Sequence, residues 1–102
     1  MYMSNSNPNV PQELRNLGVR NMNITRLDLE DRNLTNLPSS IGKLKKLEDL
    51  FLGDNFLTSL PSSIGNLKNL MYFDLGGNRL NSIQNQYSNL QNLKNLNCLK
   101  II

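Results

Sequence analysis

The feature that most constrains this chain is a recurrence of fixed period. Ile24, Leu47, Leu70 and Leu93 each open a segment in which apolar residues return at the same offsets, and successive openings are 23 residues apart. The clearest copy is Leu47-Glu48-Asp49-Leu50-Phe51-Leu52-Gly53-Asp54-Asn55-Phe56-Leu57, continued by Leu60-Pro61, Ile64 and Leu67. The first copy reads Ile24, Leu27, Leu29, Arg32, Leu34, Leu37-Pro38, Ile41, Leu44. The third reads Leu70, Phe73, Leu75, Asn78, Leu80, Ile83, Tyr87, Leu90, and a fourth is cut short at Leu93, Leu96, Cys98. A period in this range implies a solenoid, in which each unit buries its apolar face mainly against its neighbours.

Each position has a physical reading. Alternating Leu-x-Leu predicts a short strand with one face inward, and successive strands then stack as a parallel sheet about 4.8 Å apart. Asn55 and Asn78 stand where the chain leaves the strand, and an Asn side chain there can bond turn backbone groups that would otherwise be buried unsatisfied. Leu-Pro-Ser-Ser-Ile-Gly forms the return limb. Pro suits the first position of a helical turn because it has no N–H to lose, so short helical or 3₁₀ segments are expected near 38–45 and 61–68.

Over about residues 24–98 the chain resembles the leucine-rich-repeat family. More narrowly it is similar to the intracellular subclass written L-x-x-L-x-L-x-x-N-x-L-x-x-L-P-x-x-I-G-x-L-x-x, found in Ras-suppressor-type scaffold proteins. The resemblance implies a right-handed α/β arc with a concave parallel sheet, used for binding other proteins, and it carries over no catalytic residue. Two positions depart from the pattern. Arg32 replaces the turn Asn in the first copy, with Asn33 following, and Gln84 replaces the Pro in the third, which predicts a looser path over 81–92.

The ends differ from the middle. Residues 1–9 are polar and expected to be poorly ordered. Val10-Pro11-Gln12-Glu13-Leu14-Arg15-Asn16-Leu17 has the spacing of a return limb, so 10–23 reads as an N-terminal cap with a helix near 11–17 and Gly18 as its stop. The repeats then occupy 24–46, 47–69, 70–92 and a partial 93–102. No polar cap follows Leu99-Lys100-Ile101-Ile102, whereas solenoids normally need one. Three readings stand: a piece of a longer protein, an edge closed by a second copy, or a tail that folds back. In the second, Leu96, Leu99 and Ile101 would mediate a homodimer.

Charge is sorted by the frame rather than by the net value of +3. Outward strand positions are Arg26, Asp28 and Glu30, then Asp49, Phe51 and Gly53, then Tyr72, Asp74 and Gly76, then Asn95, Asn97 and Leu99. Every acid except Glu13 falls on or beside the sheet, while Lys43, Lys45, Lys46 and Lys68 fall on the return limb. Phe51 and Tyr72 share the acidic face within diagonal reach. Aromatic side chains ringed by charge are typical of an interaction hot spot. Asp28, Asp49, Asp54 and Asp74 are therefore expected to supply charge to a basic protein segment anchored on Phe51 and Tyr72. The competing reading is a face kept acidic only for solubility. The face spans roughly 300–350 Å², below the ~800 Å² per partner of a standard interface, so binding is expected to be weak.

Other classes find little purchase. The chain has no His and one inward Cys98, and no Ser stands in a motif with a base. The carboxylates lack the spacing of a calcium loop, and Gly76-Gly77 lacks the further glycines of a phosphate loop. No metal or cofactor is expected. Nucleic-acid binding through Lys43, Lys45 and Lys46 would be salt-dependent and sequence-blind, and a solvated charged face is the ordinary reading. No apolar run approaches the ~20 residues of a membrane span. Met1-Tyr2-Met3-Ser4-Asn5 lacks a signal-peptide pattern, and there are no cysteine-clamped caps, which favours the cytoplasm.

Overall fold

The structure, a computed structural model, describes residues 9–80 and the strand Lys100–Ile101. It contains a short helix α1 (Gln12–Arg15), strands β1 (Arg26–Asp28), β2 (Asp49–Phe51), β3 (Tyr72–Leu75) and β4 (Lys100–Ile101), and two 3₁₀ turns, Ser39–Lys43 and Ser62–Asn66. The four strands form one parallel sheet in chain order. Arg26 pairs with Asp49 and Asp49 with Tyr72, which is the 23-residue step of the sequence.

The expected inward alternation holds. Leu27 and Leu29, Leu50 and Leu52, and Phe73 and Leu75 are buried, while the residues between them face outward. Ile41, Leu44, Ile64 and Leu67 come in from the return limbs to close a single core. Full burial of one such side chain is worth about 1.5–3 kcal/mol, so the stack is held chiefly by these rows. The two 3₁₀ turns begin one residue after Pro38 and Pro61, both extended, so proline sets the entry as expected but lies just outside the turn. At the N-terminus, α1 is shorter than the predicted 11–17. Gly18, at φ 96°, ends it, with Val19 N–H donating to the Leu14 carbonyl and Gly18 N–H to that of Arg15. That pair of bonds is the usual left-handed helix stop, and it lets Val10, Leu14 and Val19 join the core.

Backbone pairing between turns continues past the strands. Leu29 N–H donates to the Phe51 carbonyl, Asp31 to Gly53, Leu52 to Asp74 and Asp54 to Gly76. Beyond them two buried carboxamides take over. Asn55 Oδ1 accepts from the N–H of Arg32 (2.9 Å) and Leu34 (3.0 Å), and its Nδ2 donates to the carbonyls of Leu29 and Leu52, 2.9 Å each. Asn78 repeats this one turn on, donating to Leu52 and Leu75 and accepting from Leu57 N–H. Arg32 at the corresponding place is exposed, and Asn33, in left-handed backbone at φ 57°, does not replace the missing carboxamide.

One expectation is corrected. The 23-residue frame puts Asn97 beside Asp74, while the strand it predicts over Leu93–Cys98 lies outside the described residues. Instead Asp74 pairs with Lys100 and Leu75 with Ile101, a step of 26 residues. In the sequence Leu96, Leu99 and Ile101 stand 26 residues after Leu70, Phe73 and Leu75. Ile101, assigned above to self-association, thus takes the register position of a core residue. Leu96 and Leu99, the tail 1–8 and the third return limb lie outside the described residues.

Two tests follow from the buried polar groups. Truncating Asn55 strands several backbone groups, so Asn55→Ala should lower the urea-derived unfolding free energy by about 3 kcal/mol or more. Ser40 and Ser63 are equivalent positions with opposite roles. Ser63 Oγ donates to the Ser39 carbonyl at 2.6 Å, whereas buried Ser40 Oγ has no hydrogen-bond partner. Ser63→Ala should therefore cost about 1 kcal/mol and Ser40→Ala should be neutral or raise stability by about 1 kcal/mol.

Candidate interaction face

The outward sheet face is built from three rows that run across the strands. Register sets the first as Arg26, Asp49, Tyr72 and the second as Asp28, Phe51, Asp74. By alternation the third is Glu30, Gly53, Gly76. Tyr72 is exposed at 44% and Phe51 is half-buried, on adjacent strands and adjacent rows. The structure therefore brings together Asp28, Asp49, Phe51, Tyr72 and Asp74 as the sequence frame requires.

The acids are not equivalent. Asp28 Oδ1 accepts from Glu30 N–H at 3.1 Å and Asp74 Oδ1 from Gly76 N–H at 2.9 Å, so each also shapes the exit from its own strand. Asp54 sits three residues beyond β2 in left-handed backbone at φ 57°, where Asp is tolerated because its short side chain is accommodated locally. The next turn uses Gly77 at φ 74° in that place, and a Cβ there would collide with Asp54 Oδ1. Asp54 is thus fixed against the following turn at the rim of the face.

Three features go beyond the residues picked out from the sequence. The Arg26 guanidinium lies over the Phe51 ring, 4.8 Å from its centroid, so Arg26 covers an aromatic face as well as offsetting charge. Arg26 pairs with Asp49, and Phe51 is two residues further along Asp49's strand, so the guanidinium reaches the ring diagonally. Glu30 reaches over Gly53, where its Oε2 would be 3.3 Å from any Cβ, and Asp74 Oδ1 would be 3.7 Å from it. On the turn side Phe56 is 40% exposed, with the Arg79 guanidinium 4.8 Å from its ring centroid. The ring thus packs against the neighbouring turn through Arg79 and still leaves part of its surface exposed. By register, Lys100 follows Asp74 in the second row.

The lysines lie elsewhere. Lys43, Lys45 and Lys46 are all exposed at the end of the first 3₁₀ turn. Among the described residues no group of three His, Cys, Asp or Glu side chains is placed to hold a metal ion. No described helix is long and apolar enough to cross a membrane.

Comparison with known proteins agrees with this architecture. The model of the leucine-rich repeat region matches residues 3–102. The chain belongs to the leucine-rich-repeat family. It is similar to the solved leucine-rich-repeat protein LIC12759 of Leptospira interrogans, at 35% identity and a TM-score of 0.57. That match covers 68% of this chain and 17% of the other, so the present chain spans a small part of its relative's length. No curated protein matches. Members of this family generally take part in protein–protein interaction.

The stacked pair predicts a measurable coupling. In a double-mutant cycle of Arg26→Gln and Phe51→Leu, read by thermal or urea unfolding, the interaction energy should be about 0.5–1 kcal/mol and survive high salt better than a carboxylate pair would.

Proposed function

We propose that the chain is a non-enzymatic interaction module whose concave face captures an extended, basic segment of a partner protein. The observation that carries this is the placement of exposed Tyr72 and half-buried Phe51 in register among Asp28, Asp49 and Asp74. Aromatic surface supplies apolar contact area, and flanking carboxylates select cations and speed encounter. Asp54 and Glu30 bound the face on the turn side, and Phe56 with Arg79 offers further contact area beyond it. The partner is protein rather than nucleic acid, because phosphate would meet carboxylates on this face.

The same reading covers the scaffold. Residues 10–23 act as the N-terminal cap of a right-handed solenoid, since parallel crossovers are almost always right-handed, and the fold suits a reducing, cytoplasmic setting. The subclass similar to Ras-suppressor-type scaffold proteins fits the Leu-Pro-Ser-Ser-Ile-Gly limbs. Self-association through Leu96, Leu99 and Ile101 is the weaker reading, because Ile101 holds the register of core Leu75.

The test is titration of a fluorescent octapeptide alternating Lys and Ala, read by anisotropy. A small face predicts a Kd on the order of 10⁻⁴ M. The triple variant Asp28→Asn, Asp49→Asn, Asp74→Asn removes charge while keeping an oxygen for the Glu30 and Gly76 N–H groups, and should weaken binding by about tenfold or more. Tyr72→Ala should weaken it comparably. Unchanged affinity in both variants would refute the reading.

A further inference from the structure

We propose that the basic segment taken by this face is the Lys43–Lys46 turn of a second copy, so that copies associate head to tail, concave sheet onto convex back. The inference rests on the reading of the concave face given above and names its occupant from the chain itself. Lys43, Lys45 and Lys46 put three ammonium groups into four positions, all exposed, while intervening Leu44 is fully buried and anchors the turn. The backbone is already held: Lys45 N–H donates to the Lys43 carbonyl at 2.9 Å, and the Lys45 carbonyl accepts from Asn69 Nδ2 at 3.0 Å. A preformed basic turn needs little ordering on binding, which favours it over a flexible peptide of equal charge.

The surfaces are complementary in charge and lie on different parts of one chain, the outward sheet rows and the end of the return limb with the turn that follows it. Glu30 and Asp49 face out from the sheet, and the lysines face out from the return limb. One copy can therefore use both surfaces at once. Such a contact is heterologous, and without ring closure it continues into open chains rather than stopping at a two-fold dimer. The small face keeps each contact weak, so assembly should grow with concentration and fall with salt.

Sedimentation velocity over a wide concentration range is the experiment. Wild type should show rising average mass at about 0.05 M salt that is largely lost at about 0.5 M. A face-reversed variant (Glu30→Lys, Asp49→Lys) and a back-reversed variant (Lys43→Glu, Lys45→Glu, Lys46→Glu) should each stay monomeric, with circular dichroism confirming the fold. An equimolar mixture of the two should associate again, because each face then meets an opposite back. The milder pair Glu30→Gln, Asp49→Asn serves the same purpose should the reversals unfold the chain. The back-reversed variant should still bind the Lys-Ala peptide as wild type does. A wild type that binds the peptide but stays monomeric throughout overturns this inference and leaves the binding reading standing. Absence of both peptide binding and association overturns both. Association unaffected by either reversal, or a mixture that does not recover it, overturns the inference alone.

Discussion

Everything in this fold depends on satisfying backbone groups where the chain leaves the sheet. A parallel strand of three or four residues pairs only briefly, and the turn that follows is too irregular to continue a ladder. Asn55 and Asn78 solve this with side chains that donate and accept at once, joining carbonyls of two successive turns to N–H groups of the earlier turn. An unsatisfied buried polar group costs about 1–3 kcal/mol, so a solenoid without these carboxamides would lose at each turn much of what a buried leucine contributes. Leucine rows supply the driving force, but the asparagines permit the turns that bring the rows together.

That requirement also changes how the acidic face is understood. Asp28 and Asp74 look like recognition residues, yet each spends one oxygen on the exit of its own strand. Asp54 occupies a left-handed turn position that Gly77 fills one repeat later. Part of the charge on the face is therefore a consequence of turn chemistry. Asp49 and Glu30, on the first and third outward rows, make no such bond to a strand exit among the described residues.

The repeat frame made the strands, inward rows, return turns and facing of Asp49, Phe51 and Tyr72 legible, because period-two alternation and 23-residue recurrence are both written in residue types. What the frame could not reveal were contacts that depend on side-chain reach. Arg26 stands beside Asp49, and charge alone suggested neutralisation, but the guanidinium extends diagonally to the Phe51 ring. Asn33 looked like a substitute for the missing turn Asn, yet a shift of one residue places it in left-handed backbone with no route to the buried carbonyls. Carboxamide chemistry tolerates no such offset.

The step into β4 was hidden for a different reason. Leu90, Leu93, Leu96 and Leu99 recur every three residues, so a slip of three leaves L-x-x-L intact and the leucine pattern cannot choose between frames. The residues just beyond decide it. The 23-residue frame would place Cys98 at the end of the inward row, and the 26-residue frame places Ile101 there, opposite Leu75. As a residue type isoleucine, with its branched Cβ, suits a strand better than cysteine, which favours the 26-residue frame. The same slip sets Lys100 rather than Asn97 at the register position beside Asp74.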